Sequence, residues 1–281
     1  MSEADRVAGL ISDMGDGPVF VHSDPFRAAR LVPRVRDRDA YLDSHIALIR
    51  ESARHRPLWL PSFNYDFPKT RVFDVARSEA QLGPIPERFR TTVAEWRTPV
   101  PIFAVAGVGG QPRYSWGENA DPFGEESPFA DLVAQDGVVL YYGDTFHYNT
   151  IVHYAERVTG GGPLYRYDKL FRGTVVVADG QSVSGSLNYH VRPFGTGLDY
   201  DWPRLLEEAV DAGVCQRLAG DPGILAASAA GLCDLWVRGM RDDPFTLLDE
   251  KSRRWVEPAI EELGRRFVMT DFEGPDAGAA R

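Results

Sequence analysis

Short apolar runs alternate with amphipathic stretches along the first half of the chain. Residues 18–22 (PVFVH) read as a buried strand. Ser23, Asp24 and Pro25 then supply a cap residue and a proline suited to a first helical turn, which predicts a helix start. Residues 39–56 carry Leu42, Ile46 and Ile49 at helical spacing. Residues 57–67 (PLWLPSFNYDF) read as a strand ending in a polar loop, and residues 83–96 as a short helix opened by two prolines. Residues 100–109 form another apolar run, 110–129 are rich in Gly, Pro and Asp and read as a loop, and 137–143 (GVVLYYG) read as a strand. Two β-rich segments flank Asp179-Gly180, a hairpin signal. From Trp202 to about Phe267 the pattern is mostly helical, and residues 272–281 look frayed. The sum predicts a mixed α/β fold: one domain over 1–268 with a central mixed sheet flanked by helices, a late β-hairpin and C-terminal helices, then a flexible tail over 269–281.

Composition narrows the function without naming it. With 43% hydrophobic residues in 281, the chain can build a real core. Its 31 basic and 41 acidic side chains leave a net charge of −10 and no concentrated basic tract, which disfavours nucleic acid as a partner. No window approaches a membrane span, and the N-terminal stretch lacks the pattern of a signal peptide. Cys215 and Cys233, with no histidine pair nearby, make neither a zinc motif nor a disulfide framework and suit a reducing compartment. A cytoplasmic location is therefore expected, and a homodimer is left open.

The chemistry concentrates in Gly143–Gly162 (GDTFHYNTIVHYAERVTGGG). His147 and His153 stand six apart, not at the i, i+4 spacing of a helical zinc motif, and no third ligand is apparent; no metal is expected. Arg157–Gly162 matches R-x-x-G-x-G, a loop pattern with which one large acetyltransferase group cradles acyl-CoA between a strand and a helix. Here the glycines follow a helix and precede Pro163, so they read as a C-cap and turn. A helix starting near Thr145 or Asn149 puts Asn149, His153 and Glu156 on one face, and Ile151, Ala155 and Val158 on another that can meet the sheet. A His beside a carboxylate is placed to accept a proton, with the acid orienting the ring; an exposed polar pair is the plain alternative.

Asn149-Thr150-Ile151-Val152-His153-Tyr154-Ala155-Glu156 resembles the N-T-x-x-H-x-x-E signature of the aminoglycoside 3-N-acetyltransferases. FVHSDPFRAARL, LPSFNYDF, FDVARSEAQLGPIPERFR, RTPVPIFAVAG and PLYRYDKLFRG are similar to further segments of that family, in the family's order, over roughly residues 15–250. The resemblance implies acetyl-CoA as donor, a primary amine of an aminoglycoside or amino sugar as acceptor, no metal, and His153 as general base. Glu156 becomes its supporting acid. His22, Ser23, Arg97 and Thr98 fall on the donor side, and Asn64, Asp66, Glu87 and Asn149 on the acceptor side. Local readings compete for several of these: Ser23 as a helix cap, Glu87 as a first-turn acid, Asn64 and Asp66 as turn residues. The chain departs from the family pattern at Asp24, Val100 and Ala104. Another acyl donor, such as a carrier-protein thioester, a formyl or a longer acyl group, and a catalytically dead binding homologue are the alternatives. A serine hydrolase is disfavoured because no G-x-S-x-G elbow is present.

Overall fold

The computed structural model describes residues 1–114, 116–160, 162–177 and 179–274. Its strands are β1 (Val19–Ser23), β2 (Leu58–Pro61), β3 (Val72–Asp74), β4 (Trp96–Arg97), β5 (Val105–Val108), β6 (Val138–Tyr142), β7 (Tyr167–Val176), β8 (Ser182–Val191), β9 (Cys215–Leu218) and β10 (Asp221–Ser228). Its helices are α1 (Glu3–Ser12), α2 (Arg38–Ala53), α3 (Phe67–Thr70), α4 (Pro84–Thr92), α5 (Pro128–Ala134), α6 (Ile151–Val158), α7 (Trp202–Asp211), α8 (Ala229–Asp242) and α9 (Glu250–Leu263). Seven strands form one mixed sheet in the order β4-β5-β2-β1-β6-β10-β9, in which β2, β1 and β6 run parallel. The others pair antiparallel at either side. A second sheet, β3-β7-β8, holds the predicted hairpin.

The central strands are apolar at consecutive positions because both faces of the sheet are covered. Side chains alternate along a strand, so Val19 and Val21 of β1 and Val138, Leu140 and Tyr142 of β6 join a core under α1, α2 and α4. Phe20, Val139 and Tyr141 point the other way, into a core closed by α5, α6, α7, α8 and the hairpin. His22 is on that second face, where it stacks on Tyr141 at 5.9 Å.

Four local expectations change. Residues 24–32 make a turn and a 3-10 helix at Ala29–Leu31 rather than an α-helix. Asp24, not Ser23, takes the cap, its Oδ1 accepting from the Phe26 and Arg27 amides, and Pro33 leaves too few residues for a longer helix. The stretch after Trp202 contains β9 and β10; the run ILAAS reads as helical by propensity but lies against β6, buried on both faces. On α6, Val152 is buried and Val158 is exposed, a rotation of the expected apolar face. The tail expected from residue 269 is tied down as far as Glu273: Phe272 stacks on Tyr167 at 5.8 Å, and Glu273 accepts hydrogen bonds from Tyr167 and Lys169. The expected flexibility of residues 275–281 lies outside the described residues.

One glycine is needed where β6 ends. Gly143 has φ +103°, and a Cβ there would stand 2.4 Å from the carbonyl oxygen of Asp24. The Asp24 amide donates to the Tyr142 carbonyl at 2.8 Å, so the turns after β1 and β6 are laced together at this point. Gly143→Ala is expected to lower unfolding free energy by about 1–3 kcal/mol, read as a reduced urea midpoint at unchanged m-value.

Candidate active site

In open α/β sheets, ligands sit beyond the carboxyl ends of the parallel strands. Here β1 ends at His22 and Ser23, and β6 feeds through residues 143–150 into α6. His22 and Ser23 line a cavity of about 400 Å³, together with Phe26, Pro61, Leu82 and Tyr148. His22 Nε2 and Ser23 Oγ are buried with no protein hydrogen-bond partner. Unpaired buried polar atoms are costly, so their persistence at a cavity wall marks a place for a polar ligand group. A second cavity of about 800 Å³ is lined by His147, Asn149, Thr150, His153 and Arg166 among others. Leu82 and Tyr148 line both cavities, so the two adjoin.

The floor of the larger cavity is organised by one carboxylate. Glu156 is fully buried on α6 and accepts hydrogen bonds on both oxygens. Oε2 takes His153 Nδ1 at 3.0 Å and His190 Nε2 at 3.2 Å. Oε1 takes the Tyr165 hydroxyl at 3.0 Å, Arg166 Nε at 3.2 Å and the Tyr200 hydroxyl. Arg166 also donates to Tyr200 and to the His190 carbonyl. Helix α6 itself starts on Asn149, whose Oδ1 accepts from the Ile151 amide at 3.2 Å. With Nδ1 donating to Glu156, His153 keeps its Nε2 lone pair free, and 18% of its side chain remains exposed.

Burial pushes the Glu156 carboxyl upward, but Arg166 and the two histidines outweigh it and hold the group well below the ordinary carboxylate range. Burial, helped by Arg166, pushes His153 down to about 4 against the pull of Glu156. The same desolvation lowers His190, takes His22 to about 3 and takes His45 to about 4. His153, Glu156 and His190 bring three ligand-type atoms within 4.8 Å of one another, a third partner that the spacing of His147 and His153 did not reveal. The positive charge a metal ion would supply there is already supplied by Arg166, and the carboxylate oxygens are already engaged, so the arrangement works as a hydrogen-bonded node. Cys215 and Cys233 are buried free thiols, each pushed by desolvation to about 12.

The structure thus gathers His153, Glu156 and Asn149 at one cavity and His22 and Ser23 at its neighbour. It puts five expected site residues elsewhere. Arg97 is buried, stacks 4.6 Å over Phe73 and donates to the carbonyls of Val75, Ser78 and Ser62; it pins loops to the sheet. Thr98 is fully buried with its Oγ1 accepting from the Val105 amide at 2.9 Å. Asn64 uses both ends of its amide on the Glu79 carbonyl and the Asp66 amide, and Asp66 is an exposed turn residue bonded to Gln81. Glu87 pairs with Arg90 at 2.6 Å and caps the Ala80 amide; it lines a groove with Phe26 and Arg38 that adjoins the smaller cavity rather than the larger one. Arg166, Tyr165, Tyr200 and His190 were missed as parts of the site. The PLYRYDKLFRG similarity was the available signal for Tyr165 and Arg166; His190 and Tyr200 reach Glu156 only through folding.

This fold and this His–Glu–Arg node define a protein of the N-acetyltransferase class. A family model for aminoglycoside 3-N-acetyltransferases matches residues 50–235, and the chain belongs to that family. Solved structures with the same fold include AAC-IIIb in a binary complex with CoASH, 21% identical, covering 86% of this chain and 97% of that one at a TM-score of 0.66. Sisomicin-bound AAC-VIa is 17% identical, with 86% and 98% covered and a TM-score of 0.60. The YokD protein from Bacillus subtilis is 15% identical, with 86% and 94% covered and a TM-score of 0.59. No curated protein matches the chain significantly in sequence. Among the described residues no helix is long and apolar enough to cross a membrane.

Two predictions come from the node. Arg166→Met leaves Glu156 buried without its cation and is expected to cost about 3–5 kcal/mol of stability, measured by urea unfolding. The depressed histidines also make stability depend on pH. The unfolded chain protonates its histidines near 6.5, whereas folded His153 and His45 hold out to about 4 and His22 to about 3. The unfolded state therefore binds more protons below 6.5, so this part of the stability is complete above that pH and falls as the pH drops. Urea midpoints are expected to be level between about pH 7 and 8 and to decline from about 6.5 to 5, above the range where carboxylates dominate. His45→Gln should make that decline shallower.

Proposed function

We propose that the chain is an acetyl-CoA-dependent N-acetyltransferase in which His153 is the general base and Glu156 its orienting acid. The observation that carries this is an imidazole fixed through Nδ1 to a buried anion while its free Nε2 edge belongs to a cavity of about 800 Å³. The adjoining cavity fits the donor: the unpartnered His22 Nε2 and Ser23 Oγ suit the polar atoms of a pantetheine arm. Beyond it, Phe26 and Gly83 continue into a groove lined by Arg38 and by Glu87, whose charge Arg90 offsets, so Arg38 is the cation there for a phosphate. Bound there, acetyl-CoA supplies an activated acyl carbon.

The residues then handle protons. An ammonium has no lone pair, so the amine attacks in its neutral form, its extra proton having gone to solvent. His153 Nε2 takes a further proton from the nitrogen as the C–N bond forms; Glu156 stabilises the imidazolium from the far side of the ring. The imidazolium returns the proton to the departing sulfur as the C–S bond breaks. The adducted nitrogen is far more acidic than a free amine, so a base held near 4 suffices.

His153→Ala is expected to lower kcat by about 10²–10⁴, followed as thiol release, while CoA affinity by calorimetry stays within about twofold of wild type, since in this reading His153 contributes only to the chemical step. Turnover that survives the substitution would sink the base assignment.

A further inference from the structure

We infer that the acceptor is a primary amine of single positive charge carrying an aromatic or branched aliphatic body, rather than a polycationic aminoglycoside. The inference rests on the transferase reading of the larger cavity and concerns what that cavity selects. An aminoglycoside brings several ammonium groups, each of which needs a carboxylate or water when it leaves bulk solvent. Among the described residues lining the cavity, Asp199 alone carries a carboxylate. Arg192 lines the same wall and offsets it, while Arg166 is neutralised by Glu156 beneath the floor. Beside the uncharged polar groups of Asn149 and Thr150, the rest of the wall is largely hydrocarbon and aromatic: Phe63, Phe103 and Phe171 are buried there, and Trp202, Tyr189 and Val191 join them.

The mouth repeats the pattern. Phe194 is 93% exposed, Tyr148 56% and Tyr65 49%, and all three line this cavity. Large rings held in water at one opening are costly unless a ligand covers them. They can stack on an aromatic body or stabilise one ammonium through their faces, but ring faces do not replace the several carboxylates a polycation requires. The overall charge of −10 attracts amines of every kind to the protein and so does not set this choice.

The test compares 2-phenylethylamine with tobramycin in two assays. With wild-type protein and saturating acetyl-CoA, thiol release is expected to show kcat/KM at least tenfold higher for 2-phenylethylamine than for tobramycin. With His153→Ala, calorimetry is expected to detect 2-phenylethylamine and not tobramycin. Phe194→Asp, at a position too exposed to affect folding, should narrow the preference. Equal or faster turnover of tobramycin, or its tighter binding, overturns the inference and leaves the transferase standing. Selective binding of 2-phenylethylamine without thiol release from any amine upholds the cavity's selectivity and overturns the transferase reading. Binding of neither amine overturns the inference.

Discussion

A carboxylate taken wholly out of water has to be repaid by its neighbours, and the architecture around Glu156 is that repayment. Five donors converge on its two oxygens from α6, from the segment before β7, from β8 and from the segment before α7. An isolated carboxylate in such a place would take up a proton and become neutral. Arg166 keeps it charged, and the charge fixes the tautomer of His153. His153, the hairpin and the helices behind it are therefore coupled through one side chain. A shift in the hairpin register would move His190 out of the node and Tyr189 and Val191 of the cavity wall with it.

The same burial explains why the imidazole is neutral. Desolvation and Arg166 both disfavour a second positive charge, and Glu156 only partly compensates. The ring is consequently in its basic form throughout the physiological range, and its readiness does not depend on small changes in pH. What it gives up is basicity. That loss is tolerable when the proton comes from a nitrogen already bonded to an acyl carbon, and it would not be tolerable for stripping a free ammonium at a distance. In the proposed reaction the node thus favours proton removal from the adduct over removal from a free ammonium.

Most of the frame was legible because it depends on local pattern. Strands covered on both faces gave unbroken apolar runs at Val19–Ser23 and Val138–Tyr142, and the Asp179-Gly180 turn announced its hairpin. The failures share a cause: tertiary burial overrode local preference. The alanine-rich end of β10 looked helical until it lay beside β6, and a cap followed by proline promised a helix that Asp24 and Pro33 reduced to a turn. At the site, residues linked within one helix were visible, as with His153 and Glu156. Partners from distant segments were not. Arg97 and Thr98 misled for a related reason: a polar residue at a family position can serve the backbone, and only the hydrogen bonds to Ser62, Val75, Ser78 and Val105 distinguish that role from ligand binding.

Family membership and acceptor choice then separate on physical grounds. In the proposed reaction, proton transfer uses the His–Glu–Arg node, which lies on the cavity floor and belongs to the folded core. The proposed acceptor choice rests on the walls and mouth, where side chains such as Tyr65, Phe171 and Phe194 make none of the node's hydrogen bonds. The mouth can exchange carboxylates for rings at little cost to stability, because exposed positions such as Tyr65 and Phe194 are weakly constrained by packing. The floor cannot change so freely, since removing any one of its buried partners strands a charge or a donor. Membership of the family therefore argues for shared chemistry, while the ligand has to be read from the side chains that line the walls.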